Sequence, residues 1–520
     1  MKNFSFKDAR ELIKDFQIEK IAFLTPEKSV IFIFCANGIE ELQKVGRFFR
    51  ENTKTQVVGC TTAGNIFNSK LYEEGIVVSI LEIEEGVISL AYADEKDDYL
   101  NGKIVASSFS KLLNENETAL LILLTDGTYT EGEEVLRGIF EVSNNFSVVG
   151  GKAGNKNILS ETAVLINDKV TTHGTVGVLL KEKDVKYKPD FLFDWKEIGR
   201  EYLVTKSRKN RVFSINHLPA VEFYRKYLGN EVAKELPVTG IEYPLIFREK
   251  NIPIARACIK KHKDGSLSFS GNVPEGTKVR LGCGSLRDKD KYLSKFHELA
   301  SSFHCFFIFS CTARKTFLGD IVKEELKVFN VPNCGFFTFG EYFSKYLLNE
   351  TLTVVGLGDR KKEEKEIGEK KEEEKKKGIL HSLTHLIAEI SKEYDQLKDA
   401  INNSGFGLLI LNEVKGKRVC VFASESLKEI LGYDSEDFIL GKVNYSIIHP
   451  ADRNKIKMMR DKLINSKVAS TRIDYRIILP NQEQRWIRSY VKVIEKGKEV
   501  ILSFEDITDK KVSEERRFST

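Results

Sequence analysis

The chain has 520 residues, too many for one hydrophobic core, and its 41% hydrophobic and 30% charged residues suit folded domains and exclude a disordered chain. Its net charge of +5, from 81 basic and 76 acidic residues, is interspersed along the sequence and implies no nucleic-acid partner. Apolar runs such as 30–36 and 119–124 are far shorter than the roughly 20 residues of a membrane helix, so membrane insertion is not expected.

The opening "MKNFSFKDARELIKDF" breaks up the apolar stretch that an export signal needs, which points to a cytoplasmic location. Short β-rich runs follow between about residues 28 and 185: "SVIFIFCA", "TQVVGC", "GIVVSILEI", "ALLILLTDG", "FSVVGG", "TAVLIND" and "GTVGVLL". Amphipathic patterns at 39–50 and 131–141 separate some of them, and this alternation predicts a layered α/β domain over 1–204. "VVGCTTAGN" and "VVGGKAGN" echo each other, as an internal duplication would.

Asp126-Gly127 ends an apolar run where ligand sites gather in parallel sheets, but without a neighbouring acidic pair or a suitably placed lysine it reads as a turn rather than a phospho-acceptor. The two Gly-rich loops lack nucleotide-binding spacing. A second, strand-dominated domain is expected over 205–357, including "IPIARACI", "FHCFFIFSCTAR" and "CGFFTFGEYF". Cys311, Thr312 and Arg314 follow one strand and Gly340 and Glu341 another, which sets a guanidinium and a carboxylate at strand ends. Such a pair suits a zwitterion such as an amino acid, or forms an ordinary structural ion pair. Arg256, which interrupts an apolar strand, is a third candidate.

The eight cysteines show no C-x-x-C pair or zinc spacing, so no metal site is expected. Cys60 and Cys311 have no evident base and read as buried structural thiols. On "VVGCTTAGNI", "LLILLTDG", "SVVGGKAGN", "IPIARACI", "FIFSCTAR" and "CGFFTFGE", residues 25–357 resemble the FIST family's N-terminal and C-terminal domain pair. That resemblance implies a bacterial signalling protein that senses a small ligand, with an amino acid at Arg256, Cys311, Thr312, Arg314, Gly340 and Glu341.

The run "RKKEEKEIGEKKEEEKKK" cannot bury a face of its own and reads as a solvated linker. Leu380, Leu383, Ile387, Ile390, Tyr394, Leu397 and Ile401 then alternate steps of three and four, predicting a coiled-coil signalling helix over 380–401 that makes a homodimer. The alternative is an amphipathic helix packed on its own domain. Linker and helix together span 358–400.

Beyond it, "SGFGLLILN", "RVCVFAS", "ESLKEILGYDSEDFILGK" and "IIHPADR", with the closing "EDITDKK", resemble the PAS family. The resemblance implies an α+β sensor at 401–512 with a five-stranded antiparallel sheet, and the start of an exit helix at 513–520. Asp506 and Thr508 lie where a strand hands over to that helix, and short polar side chains there can cap it and relay a shift of the sheet. Most members of that family fill the space between helices and sheet with side chains. No cofactor motif is visible here, and His449 reads as a turn residue.

The expected whole is a cytoplasmic sensor without catalytic residues: the FIST-like pair binds a small metabolite, and the PAS-like domain relays the signal to an effector in trans. Two other readings stand beside it. One is the input half of a histidine kinase or diguanylate cyclase, although no H-E-x-x-[TR]-P or G-G-[DE]-E-F signature occurs. The other is a small-molecule enzyme using Cys311 and Glu341.

Overall fold

The computed structural model describes residues 1–17, 19, 21–157, 160–284, 289–359, 379–414, 417–465, 470–494 and 499–518. The mixed-charge run at 360–377 lies outside the described residues. Contacts divide the chain into two units that interleave in sequence: 1–196, 240–257 and 282–381 form one, and 197–239, 258–281 and 382–520 the other.

The first unit is one motif repeated three times: an edge strand, a helix, a strand, a second helical segment, a parallel strand, a short hairpin and an antiparallel return strand. In the first repeat the edge strand is Lys2–Phe6, the parallel pair Ser29–Cys35 and Gln56–Thr61, the hairpin Asn65–Phe67 with Lys70–Tyr72, and the return Ile76–Glu82. In the second these are Ser89–Ala93, Ala119–Thr125 with Phe146–Lys152, Val164–Ile166 with Lys169–Thr171, and Thr175–Lys181. In the third they are Tyr187–Phe193, Phe303–Cys311 with Asn333–Thr338, Glu341–Phe343 with Tyr346–Leu348, and Thr351–Asp359.

Each hairpin leaves its own sheet and pairs with another. The hairpin of the first repeat joins the sheet of the third, that of the second joins the first, and that of the third joins the second. The exchange closes a ring.

The central strands are buried on both faces, which is why they read as unbroken apolar runs. One face of each sheet turns into a shared core containing Phe32, Phe34, Ile122, Leu124, Phe307 and Phe309. The opposite faces meet the helices of their own repeat, as Ile31 and Ile33 meet Leu42 and Phe49. A glycine recurs at one register position of the parallel strand: Gly59, Gly150 and Gly335 face Ile33, Leu123 and Ile308. A Cβ at these positions would lie 2.2, 2.0 and 1.7 Å from the facing carbonyl oxygen, so no side chain fits. The echo in the sequence marks two of the three copies.

Between the edge strand and the first helix of the third repeat, the chain runs out into the second unit. This is why the units interleave, whereas the boundaries expected at 204 and 357 follow one another in sequence. The second unit holds the strands Arg211–Ile215, Leu218–Pro219, Cys258–Lys261 and Leu267–Phe269, and the helix Ala220–Lys234. It also holds a five-stranded antiparallel sheet in the order Lys417–Ala423, Gly407–Val414, Glu499–Asp506, Gln484–Ile494 and Ser470–Ile478.

Ile379–Asn402 is helical, and Ile390 and Leu397 on its expected seam are exposed. The side chains of Leu380, Leu383 and Ile387 are not among the described ones. Among the described residues, no helix is long and apolar enough to cross a membrane.

Candidate functional site

Two places carry chemistry: the strand ends of the third repeat, and the interior of the five-stranded sheet. At the first, Arg314 projects from the helix Thr312–Leu318, which starts directly where the strand Phe303–Cys311 ends. It is 1% exposed. Its Nη1 and Nη2 donate to the two Glu325 carboxylate oxygens at 2.8 and 2.9 Å, and its Nε donates to Asp194 at 2.9 Å. Burial opposes the charge, but the two carboxylates outweigh it and raise the pKa of the guanidinium.

Arg314 and Glu341 are held by different protein groups. Glu341 is fully buried, and its two carboxylate oxygens accept from the hydroxyls of Thr338 and Thr351, the latter at 2.7 Å. Burial pushes its pKa up to about 8, against the hydroxyls that favour the charge. The Gly340 amide donates to the Thr338 hydroxyl at 3.2 Å. Cys311 is buried, and burial followed by the charges of Glu341 and Glu350 pushes its thiol well up. The Thr312 hydroxyl is buried and meets no hydrogen-bond partner.

Arg256 also binds protein groups: Nη1 donates to the Leu347 carbonyl at 3.0 Å and to Asn349 Oδ1 at 2.9 Å, and Nη2 lies 3.3 Å from Glu133. It is buried, although its strand Ile252–Arg256 is the edge strand of its sheet. Asp126 organises its own turn, accepting from the amides of Thr128 and Thr130 at 3.2 and 3.0 Å and from the Thr162 hydroxyl. Among the described residues, no cluster of His, Cys, Asp and Glu could hold a metal ion.

The second place was not visible in the sequence. A pocket of about 1140 Å³ opens between the five-stranded sheet and its helices. Side chains leave part of that space open. The sheet residues lining it include Ile473, Ser489, Val491, Val493 and Val500 beside the larger Leu411, Tyr475 and Phe504. The wall is mostly apolar; Tyr475 and Ser489 place one polar pair deep within it, their hydroxyls 2.9 Å apart. Burial pushes the Tyr475 phenol up to about 12, so it remains a neutral donor.

One wall comes from far upstream. Asn216 and His217 form a turn with left-handed φ of 44° and 64°. Asn216 Nδ2 donates to the Val421 carbonyl at 2.8 Å, while His217 lines the cavity and bonds the Ile439 carbonyl through its ring. His449 caps a turn, its Nδ1 accepting from the Ala451 amide at 3.3 Å.

At the end of the sheet, Asp506 accepts from the Thr508 amide and hydroxyl at 2.9 and 2.6 Å, and the Thr508 hydroxyl accepts from the Trp486 amide at 3.0 Å. These bonds tie two strands to the first turn of the helix Thr508–Phe518.

Comparison with known proteins divides the sequence into the same succession of parts. The FIST N domain matches residues 29–218, the FIST C domain 220–344 and the PAS fold 420–504. Among solved structures, a sensory box histidine kinase/response regulator from Burkholderia thailandensis is 22% identical, over 24% of this chain and 94% of that one, with a TM-score of 0.20. The N-terminal domain of a diguanylate cyclase with a PAS/PAC sensor from Marinobacter aquaeolei is 18% identical, over 20% and 97%, with a TM-score of 0.18. The PAS domain of a protein from Colwellia psychrerythraea is 16% identical, over 22% and 98%, with a TM-score of 0.19. No curated protein matches.

Proposed function

We propose, from the premise that this chain carries a FIST N domain, a FIST C domain and a PAS fold in that order, that it is a sensory signal-transduction protein whose PAS fold takes up a small apolar molecule. The observation that carries this reading is the cavity. At about 1140 Å³ it slightly exceeds the roughly 300–1,000 Å³ typical of small-molecule sites, and its mostly apolar walls hold one buried polar pair. Its ligand has an apolar body and one hydrogen-bonding group directed at Tyr475 and Ser489.

Occupancy acts on both ends of the unit. At one end, the strands that carry Trp486 and Asp506 hold the helix Thr508–Phe518; at the other, Ile439 and Val421 hold the turn at Asn216 and His217. A ligand that fits one arrangement of these contacts better than another shifts the population toward it. The output reaches a partner in trans through a homodimer formed along Ile379–Asn402, whose exposed Ile390 and Leu397 support that reading.

Native mass spectrometry of the full chain is expected to show a bound small molecule, absent after Ile473→Trp, which puts an indole into the cavity. Identical bound mass in both proteins, or none in either together with no melting shift across a panel of apolar compounds, overturns the assignment.

A further inference from the structure

The three repeats allow a residue to be compared with its own equivalents. Ile33, Leu123 and Ile308 pair with Val78, Gly177 and Val354 of the return strands. In this register the three positions that follow each hairpin are equivalent: 73–75, 172–174 and 349–351. The middle ones are Glu74, His173 and Glu350.

Two of these are accounted for. Glu74 lies 2.7 Å from Lys156 on the surface, and His173 lies 3.0 Å from Asp98. Glu350 differs from both: it is fully buried, its backbone has a left-handed φ of 59°, and among the described residues neither Oε1 nor Oε2 meets a hydrogen-bond donor. A bare buried carboxylate and a non-glycine residue in that conformation are each costly, and residues kept in such a state cluster at functional sites.

Glu341, by contrast, is explained by the repeat. In the first repeat Asn65 occupies its position, accepting from the Thr62 hydroxyl at 2.7 Å and donating to the Gly75 carbonyl at 2.9 Å. Glu341 uses the equivalent Thr338 and Thr351. The group left over in the third repeat is therefore Glu350.

We infer that Glu350 anchors a second ligand site, which takes a primary ammonium group on a body without a carboxylate, an alkylamine or a diamine. Two bare carboxylate oxygens call for N–H donors, and an ammonium supplies three. The surroundings are acidic: Glu341 lies beside Glu350, the Arg256 guanidinium is taken up by Leu347, Asn349 and Glu133, and the Arg314 guanidinium is already matched by Asp194 and Glu325. A ligand carboxylate would find both guanidinium groups occupied, so a zwitterion is disfavoured. A quaternary ammonium offers no N–H. Burial and the neighbouring Glu341 push the Glu350 carboxyl well up, and the charge of a bound ammonium would act in the opposite direction.

Trp195 reports on the site directly, because its indole N–H donates to the Glu350 carbonyl at 3.0 Å. The chain has two tryptophans, so Trp486→Phe in the full-length protein leaves Trp195 as the only emitter. Titration of this protein with methylammonium chloride or putrescine dihydrochloride is expected to give a saturable change in emission, at least about tenfold weaker after Glu350→Gln. Choline chloride, potassium chloride and glycine are expected to give none. Equal response in the Gln variant, equal response to choline or potassium, or no response to either amine overturns the assignment. Melting provides a second measure: Glu350→Gln and Glu350→Gly are expected to melt at or above the parent temperature, and a lower value for both overturns it by making Glu350 a structural residue.

Discussion

Phenylalanines from different repeats meet in the middle of the first unit: Phe32 lies 4.6 Å from Phe307 and Phe34 lies 5.1 Å from Phe336, centroid to centroid. The five-stranded sheet sets valines and a serine at comparable inward positions and leaves a hollow of about 1140 Å³. The difference lies in side-chain reach rather than in polarity, since both interiors are mostly apolar. A ring closed by exchanged hairpins brings aromatic side chains of different repeats into contact, and at Arg314 its buried charge has partners built in. An open sheet covered by short helices tolerates a void, and its buried polar groups are few.

If that contrast holds, the largest effect comes from removing a built-in partner in the ring. Arg314→Ala leaves Asp194 and Glu325 buried without their cation and is expected to cost about 3–5 kcal/mol in urea unfolding of the first unit. A loss under about 1 kcal/mol would mean that solvent reaches these carboxylates and that the ring is less tightly filled than the phenylalanine contacts indicate.

The next effect concerns pH. Glu341 is raised from an ordinary 4.5 to about 8 by burial, so the folded protein binds a proton there that the unfolded chain releases. The resulting stability is complete below about 4.5 and is lost as pH rises to about 8, an effect on the order of a few kcal/mol. Glu341→Gln keeps hydrogen-bonding groups within reach of Thr338 and Thr351 and is expected to flatten stability over that window. A stability curve of unchanged slope in the variant would assign the pH dependence to other groups.

What could be read beforehand follows from this contrast. "SVIFIFC", "ALLILLT" and "FHCFFIFSC" are legible as strands because burial on both faces leaves no polar residue to interrupt them. The hairpin exchange is not legible, since strands of three residues carry no period and their partners lie far away in sequence, as Phe67 lies opposite Cys334. The third copy of the repeat hides because only Gly335 survives from the Val-Val-Gly echo. Arg314 is conspicuous in the sequence as a charge at a strand end, but its partners are 120 and 11 residues away and nothing local points to Asp194 or Glu325. Glu350 carries no signal beyond its place in "LNETL", and only comparison with its structural equivalents singles it out. The cavity is an absence of bulk, and no single residue encodes it.

Within the hollow region itself, a smaller effect tests its one polar pair. Tyr475→Phe keeps the ring and leaves the Ser489 hydroxyl without a partner, a loss of about 1–2 kcal/mol in the empty protein. Affinity for any bound molecule with a hydrogen-bonding group should fall further, by about tenfold. A variant as stable as the parent that binds equally well would mean that water, not the tyrosine, serves Ser489 and that the hollow is wetter than its walls suggest.

The smallest expected effect lies where the hollow unit hands its state onward. Asp506 is partly exposed and holds the Thr508 amide and hydroxyl, and Thr508 in turn holds the Trp486 amide. Asp506→Ala removes one link of this chain at the start of a helix and should cost about 0.5–1 kcal/mol, within the range for lost caps. That is too little to unfold the sheet but enough to raise hydrogen exchange in the first turn after Thr508, where the helix has few other ties to the strands. Thr508→Ala should do the same and also expose the Trp486 amide, because its hydroxyl serves both sides. If exchange rose equally throughout the five strands, the helix would be an integral part of the sheet's stability and could not move independently of it. If it rose in the first turn alone, the strand end would be a hinge, and filling the hollow could move the helix without disturbing the packed ring of the first unit.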